Sequence, residues 1–160
     1  MSQVTTSDNL QVVVFNLIDE KMNKKEHYGV PIEQVREIRP LEAITKVPNT
    51  EEYVRGIMNL RGKIIPVVDV KQKIGSSASA GTNPKSRILV AEVESNLTGL
   101  LIDEVDQVMR IPMKDVEPTL SGGLESISYI KGIAKTDGRL IVLLDLANLL
   151  SSANLPIQGA

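Results

Sequence analysis

The chain has 160 residues, of which 42% are hydrophobic and 24% charged, and its formal net charge is −2. This length allows one ordinary domain, or two very small ones, with a real hydrophobic core. The absence of cysteine excludes disulfide frameworks, zinc–thiolate sites, iron–sulfur clusters and cysteine nucleophiles. The single histidine gives little basis for a metal site or a catalytic dyad built on imidazoles.

Three polar segments without a hydrophobic period divide the chain. Residues 1–9 and 151–160 are interpreted as flexible tails, and residues 73–86, KIGSSASAGTNPKS, as a loop. The loop separates two segments of similar length, approximately 10–72 and 87–150. The N-terminal residues lack the features of a signal peptide, and apolar runs of about five residues are too short to span a membrane. We therefore expect a protein that stays inside the cell and does not insert into a membrane.

Short aliphatic and β-branched runs bounded by turn residues predict β-strands. In chain order these runs are 12–17, 63–70, 87–93 and 139–144. The charged segment 19–27 predicts a hairpin turn after the first of them. Segment 31–38, PIEQVREI, predicts a short helix or a strongly twisted strand, because Pro31 suits a first helical position.

Glycine and aspartate mark the ends of the later elements. Gly62 and Gly138 each follow a polar residue and open a strand, which predicts a hairpin at both places. Asp145 begins a predicted short helix over 145–150, where its carboxylate can accept hydrogen bonds from free backbone N–H groups. Helix is therefore a minor part of the predicted fold.

The sequence repeats itself at two offsets. A shift of 76 positions aligns 55–57 with 131–133 and 62–70 with 138–146, and a shift of 70 aligns 29–38 with 99–108. Two offsets are typical of a duplicated unit in which one copy has a longer loop. Strands this short, in copies of about 65 residues, favour closed barrels, because closure removes edge strands. We predict an all-β protein of two small barrels.

Few residues offer a basis for catalysis. His27 is a candidate general base, but a lone histidine in a charged turn favours a solvated surface role. Asp69 and Asp145 occupy equivalent repeat positions and are candidates for an acid–base pair, although their place after an apolar strand favours turn or cap roles. A hydrolase or transferase remains the enzymatic alternative, and loss of turnover in Asp69→Asn would reveal it.

Nucleic-acid binding is the second alternative. Segment 55–63, RGIMNLRGK, concentrates positive charge around a turn, which favours a solvated hairpin tip but suits an oligonucleotide-binding small barrel as well. Such a barrel also uses aromatic platforms, whereas this chain has one phenylalanine, three tyrosines and no tryptophan. The balanced charge does not indicate a non-specific nucleic-acid surface.

Four segments carry a resemblance to a known family. They are YGVPIEQVREI at 28–38, VPNTEEYVRGIMNLRGKIIPVVDV at 47–70, TGLLIDEVDQV at 98–108 and YIKGIAKTDGRLIVLLDLANLL at 129–150. Together they resemble the CheW family of bacterial and archaeal chemotaxis coupling proteins over about residues 10–150. Residues 49–69 hold the family motif in one uninterrupted stretch. Pro31 and the 73–86 loop depart from the pattern of many relatives.

The resemblance implies two five-stranded Src-homology-3-like β-barrels related by a pseudo-twofold axis. The subdomains would be interleaved, with a terminal element able to exchange between them. It also implies a cytoplasmic, non-catalytic adaptor without a cofactor. This adaptor would link the cytoplasmic helical hairpin of transmembrane chemoreceptors to the regulatory domain of the histidine kinase CheA. Related CheW-like proteins are further implied partners in extended arrays at the inner face of the membrane.

The resemblance places receptor contact in the groove between the barrels, at Val35, Glu37, Arg61 and Val108. Periodicity alone places Val35 and Val108 in the core, on apolar stripes with Ile32 and Ile102. Three glycines are expected to be sensitive to substitution, through turn geometry or partner binding: Gly56, Gly62 and Gly132. No residues are assigned to the kinase surface.

Overall fold

The computed structural model describes residues 9–74, 81–118 and 129–151. The strands are β1 Asn9–Asp19, β2 Lys24–Pro31, β3 Val35–Pro40, β4 Val54–Leu60, β5 Lys63–Asp69, β6 Arg87–Val93, β7 Asn96–Ile102, β8 Glu104–Pro112, β9 Val116–Pro118, β10 Ile130–Thr136 and β11 Arg139–Leu144. Two short helices follow β5 and β11, α1 Val70–Ile74 and α2 Leu146–Ser151. The predicted tails lie outside the described residues, except for Asn9 and Ser151. Residues 75–80, at the centre of the predicted loop, also lie outside them.

The four predicted strands are confirmed as β1, β5, β6 and β11. The turn predicted over 19–27 is shorter than expected, because β1 and β2 continue to pair as far as Asp19 and Lys24. The charges of this segment therefore reflect an exposed extension of the hairpin. Segment 31–38 combines both predicted alternatives, with one 3-10 turn at Ile32–Gln34 followed by β3.

Both predicted glycine hairpins are present. The turn between β4 and β5 places Arg61 at φ 53° and Gly62 at φ 85°, and the turn between β10 and β11 places Asp137 at φ 52° and Gly138 at φ 73°. Two consecutive residues with positive φ form the tight turn that matches the twist of paired strands. Glycine at the second position adopts this backbone without steric cost.

The strands form two sheets that divide the chain differently from the 73–86 loop. One sheet has the order β8-β1-β2-β11-β10-β9, and the other has the order β3-β6-β7-β5-β4. We call the first the split barrel, because it joins residues 9–31 to residues 104–144, and the second the continuous barrel, which spans residues 35–102. The segments 10–72 and 87–150 are thus interleaved, since each contributes strands to both sheets.

Equivalent contacts in the two barrels follow the offsets found in the sequence. In the continuous barrel, Val67 pairs with Gly99 across parallel strands, and in the split barrel Leu143 pairs with Gly29. Likewise, the backbone N–H of Asp69 donates to the carbonyl of Tyr53, and that of Asp145 to the carbonyl of Tyr129, both at 2.7 Å. The duplication inferred from the sequence is therefore visible in the strand pairing.

Three apolar clusters stabilise this arrangement. Met58, Ile65 and Val90 belong to a cluster inside the continuous barrel, and Val14 and Ile141 belong to one inside the split barrel. The third and largest cluster, the shared core, combines buried residues of both barrels: Val13, Phe15, Tyr28, Val68, Leu89, Leu100, Leu144 and Leu149. Because apolar burial is the dominant stabilising term in folding, the shared core holds the barrels against each other.

A buried ion pair also connects the barrels. Lys71 on α1 and Asp103 between β7 and β8 are 5% and 6% exposed, and their Nζ and Oδ2 atoms lie 2.9 Å apart. Both charges bind the backbone of Ile18 on β1, whose N–H donates to Asp103 and whose carbonyl accepts from Lys71. In the sequence repeat, Ala147 is equivalent to Lys71 and Glu33 is equivalent to Asp103. The ion pair therefore has no counterpart at the equivalent place in the other repeat.

We predict that Lys71→Met lowers the free energy of unfolding by about 3 kcal/mol, because it leaves a buried carboxylate without its counter-ion. The double variant Lys71→Met, Asp103→Leu should recover part of that loss, since it removes the unpaired charge. Urea unfolding monitored by circular dichroism measures both values. Lys131→Met, at an exposed lysine, is the control and should change stability by less than about 0.5 kcal/mol. A single variant as stable as this control would contradict the prediction.

Candidate functional site

Two of the four predicted site residues form a direct contact. Glu37 lies on β3, and Arg61 lies at the tip of the turn between β4 and β5. The guanidinium of Arg61 donates to Glu37 through both Nη atoms, at 2.5 Å to Oε2 and 3.1 Å to Oε1. This two-point geometry fixes the plane of the guanidinium. The Arg61 side chain is nevertheless 70% exposed, so the pair lies at the surface.

Glu37 is also part of a longer charged row. Arg39, on the same strand, donates to Glu37 at 3.1 Å and forms an ion pair with Glu42. The hydrogen bond from Arg61, followed by the one from Arg39, lowers the pKa of Glu37 below its usual value. Glu37 therefore stays ionised at neutral pH and accepts hydrogen bonds from the guanidinium groups of both Arg61 and Arg39.

The other two predicted site residues lie on the face that forms the shared core. Val35 is half-buried, pairs with Ala91 and packs against that core. Val108 pairs with Val13, a shared-core residue, but is itself 54% exposed. Residues directly opposite in an antiparallel ladder point to the same face. Val108 therefore extends the apolar inter-barrel face into solvent, and the core position predicted by periodicity alone is wrong for it.

Ile38 is an exposed apolar residue that the site prediction missed. It is 42% exposed and pairs with Leu89 of the shared core, just as Val108 pairs with Val13. The offset of 70 aligns Ile38 with Val108, so the repeat contained the signal. Each barrel thus contributes an exposed aliphatic side chain at an equivalent position on the inter-barrel face.

The predicted glycines differ in what constrains them. Gly56 has φ +143°, and a Cβ placed there would lie 2.1 Å from the carbonyl oxygen of Thr45. A Cβ on Gly132 would lie 3.1 Å from the carbonyl oxygen of Glu117 in β9. Gly62 has φ +85° but open space around the Cβ position. A close backbone contact therefore requires glycine at position 56, and turn conformation favours it at 62.

Asp69 and Asp145 cap the two short helices. The side chain of Asp69 accepts from the N–H of Gln72 at 3.3 Å, and that of Asp145 accepts from the N–H of Asn148 at 3.1 Å. Asp69 also pairs with Arg55 at 3.3 Å. The equivalent positions and equal roles of the two carboxylates agree with the cap interpretation.

His27 is not the solvated turn residue that the sequence predicted. It lies on β2, is half-buried, and its Nδ1 is 2.6 Å from Oδ1 of Asn16. Burial, followed by the nearby positive charge of Arg139, lowers the pKa of His27 below 6.5. The sequence did not reveal this environment for His27. Segment 19–27 is rich in charged residues, and Asn16, the partner of His27, belongs to another strand.

The fold and site can now be compared with known proteins. A family model described as a CheW-like domain matches residues 11–154. This chain belongs to the CheW-like domain family. The match covers both barrels except the first two residues of β1, and it includes every candidate site residue. Neither described helix is long and apolar enough to cross a membrane.

Several known proteins are similar to this chain over most of their length. "Chemotaxis protein CheW" of Rhizobium meliloti is 32% identical over 149 residues, which cover 92% of this chain and 91% of the relative. "Protein FrzA" of Myxococcus xanthus is 31% identical over 127 residues, 78% of this chain and 79% of the relative. The crystal structure of the scaffolding protein TtCheW from Thermoanaerobacter tengcongensis has a TM-score of 0.80 at 36% identity, covering 91% and 94% of the two chains.

Alanine at the two constrained glycines of this CheW-like chain should have unequal effects. Gly56→Ala should lower the free energy of unfolding by more than about 3 kcal/mol, because both the backbone and the Thr45 carbonyl must move. Gly62→Ala should cost about 1 to 2 kcal/mol, since only the left-handed conformation is unfavourable. Thermal and urea unfolding of both variants give the comparison. Equal losses would show that the Thr45 contact is not a constraint.

His27 should make stability depend on pH in a narrow window. Its pKa is lower in the folded protein than the ordinary value of 6.5, so the unfolded chain takes up a proton first as pH falls. Stability should therefore decrease below pH 6.5, by at most about 1.4 kcal/mol per pH unit. Urea midpoints between pH 7.5 and pH 5 measure this slope. In His27→Gln the slope should be smaller over the same range, and an unchanged slope would contradict the assignment.

Proposed function

We propose that this protein is a non-catalytic chemotaxis adaptor that couples the cytoplasmic tips of transmembrane chemoreceptors to the histidine kinase CheA. Membership of the CheW-like family across both barrels is the observation that carries this proposal. The names of relatives, a chemotaxis protein and a scaffolding protein among them, support the same role. The adaptor would reside in the cytoplasm and reach the inner face of the membrane through its receptor partner.

The inter-barrel face provides the apolar part of the proposed receptor site. Val108 and Ile38 are exposed at its border, and Val35 is half-buried and packs against the shared core. An amphipathic helix binds a protein by placing its apolar stripe on such a surface. The cytoplasmic tip of a chemoreceptor is a hairpin of two such helices, so one hairpin helix would bury Val108.

Arg61 provides the polar part of the proposed receptor site. Glu37 holds its guanidinium in a fixed plane, while most of the side chain remains in solvent. Fixing a long side chain before binding lowers the entropy lost when a partner docks. The remaining N–H groups of Arg61 can then donate to a carboxylate or to backbone carbonyls of the receptor helix.

The kinase would bind elsewhere on the same molecule. We propose apolar contacts between a barrel end of this protein and a barrel end of the CheA regulatory domain, a paralogue of the same fold. CheW-like proteins would use similar contacts to join extended arrays. With both partners bound, the rigid shared core would transmit the geometry of the receptor to the kinase.

Calorimetric titration against a receptor cytoplasmic hairpin and the CheA regulatory domain, separately and together, tests the adaptor role. Binding to each, and a ternary complex with both, are expected. Arg61→Ala should weaken binding to the receptor by about 5-fold to 30-fold and leave kinase binding unchanged, because it removes a charged rim contact and no core volume.

Arg36→Ala is the matched control for this experiment. Arg36 precedes Glu37 on β3 and forms an exposed ion pair with Glu92, so the substitution removes a similar charge and a similar contact. Its receptor affinity should equal that of the unchanged protein. Receptor binding that is unaffected by Arg61→Ala would overturn the site, and binding to neither partner would overturn the adaptor role.

A further inference from the structure

A charged cleft opens on the split barrel where residues 81–86 lead into β6. It has a volume of about 530 Å³ and is lined by elements that are distant in sequence. Its charged lining residues are Lys25, Lys85, Arg87, Glu104, Asp106 and Arg139. Four cations thus face two carboxylates, a surplus of two positive charges on a chain whose formal net charge is −2.

Both carboxylates of the charged cleft are already engaged by internal partners. Glu104 accepts from Lys25 at 2.7 Å and from Asn16 at 2.8 Å, and these bonds lower its pKa. Asp106 accepts from Nη1 of Arg139 at 2.8 Å. Each carboxylate is therefore already balanced by one close cation, Lys25 or Arg139, which leaves the charges of Lys85 and Arg87 as the surplus.

The surplus charge resides on the side of the cleft formed by Lys85 and Arg87. The Lys85 side chain is 77% exposed, and its ion pair with Glu104 is long, at 3.9 Å. Nη1 of Arg87 donates to the carbonyls of Pro84 and Ser86, which carry no net charge. Nη2 of Arg139 contacts the sulfur of Met109 at 3.9 Å, a weak acceptor. Three cationic groups thus retain donors for an incoming anion.

His27 reports on the electrostatic state of the cleft. The amide nitrogen of Asn16 donates to Glu104, so its oxygen is the acceptor for His27, and Nδ1 of His27 carries the proton. Nη1 of Arg139 lies 3.5 Å from the same nitrogen, and its positive charge disfavours the doubly protonated, cationic form of His27. An anion held in the cleft would offset this repulsion.

We propose that the charged cleft binds a carboxylate-bearing segment of a partner protein. A pair of acidic side chains matches the surplus of two positive charges and the forked donors of Arg87 and Arg139. A nucleic-acid strand fits less well, because its phosphate charges continue beyond what a surplus of two positive charges can balance. The described lining also holds no phenylalanine, tyrosine or tryptophan on which a base could stack.

Nuclear magnetic resonance of the single histidine tests this proposal on the full chain. The probe is an acetylated and amidated peptide of sequence Glu-Ala-Ala-Ala-Glu, and the matched peptide carries glutamine at both ends. At an ionic strength of about 10 mM, where screening is weak, the glutamate peptide should raise the pKa of His27 and shift the Arg87 and Arg139 side-chain signals. The glutamine peptide should do neither.

Two single-residue variants distinguish binding in the charged cleft from a response to the overall surface charge. Lys85→Gln should weaken binding of the glutamate peptide about threefold to fivefold, because it removes one surplus cation at an exposed position. Lys131→Gln is the control, since Lys131 is exposed on β10 near Ile130, which pairs with Leu144 at the opposite end of β11 from Arg139. Its affinity for the peptide should be unchanged.

Three outcomes would overturn the proposal. An equal loss of affinity in Lys85→Gln and Lys131→Gln would show that the peptide responds only to the overall surface charge. Inorganic phosphate or a short oligonucleotide that binds as tightly as the glutamate peptide would assign the cleft to a different anion. Equal responses to the glutamate and glutamine peptides would show that the cleft does not select carboxylates. None of these outcomes bears on the adaptor role, which is tested by other partners and other residues.

Discussion

The structure depends on the contribution of each half of the chain to both barrels. Strands β1 and β2 pair with β8 and β11 in the split barrel, while β6 and β7 complete the continuous barrel. The shared core then lies between sheets that are already linked through the chain, and apolar residues of both sheets exclude water from it. The two barrels therefore form one cooperative unit, and the inter-barrel face has a defined shape before any partner binds.

The two copies of the duplicated unit differ at the proposed receptor site, at the charged cleft and at the buried ion pair. Arg61 and Glu37 form a charged pair on the continuous barrel, whereas the equivalent positions on the split barrel hold Asp137 and Gln107. The buried pair of Lys71 and Asp103 and the charged cleft also occur on one side of the pseudo-twofold. The strand pairing kept its symmetry, because the backbone ladder tolerates many different side chains.

Local patterns predicted the fold well, and long-range pairing limited what they revealed. Short aliphatic runs, the two glycine turns and the repeat offsets were sufficient for two small barrels. Only the family resemblance implied interleaved subdomains. Local patterns alone could not predict that β1–β2 and β6–β7 pair with strands from the other half of the chain, because a hydrophobic pattern defines a strand but not its neighbour. For the same reason periodicity alone placed Val108 in the core, and charged composition placed His27 in a solvated turn. Exposure of Val108 depends on its edge strand, and burial of His27 depends on Asn16 across the sheet.

The pairing of the first strand with β8 also has a consequence for the order of folding. Val13 lies opposite Val108, a separation of 95 positions along the chain. During synthesis, the strands of the continuous barrel emerge in sequence and can pair with each other, whereas the N-terminal hairpin has to wait for β8 and β11. Contacts this distant in sequence slow folding, because a long loop must close before they form. The nascent hairpin of β1 and β2 therefore keeps an unpaired apolar edge that is vulnerable to aggregation until β8 and β11 have left the ribosome.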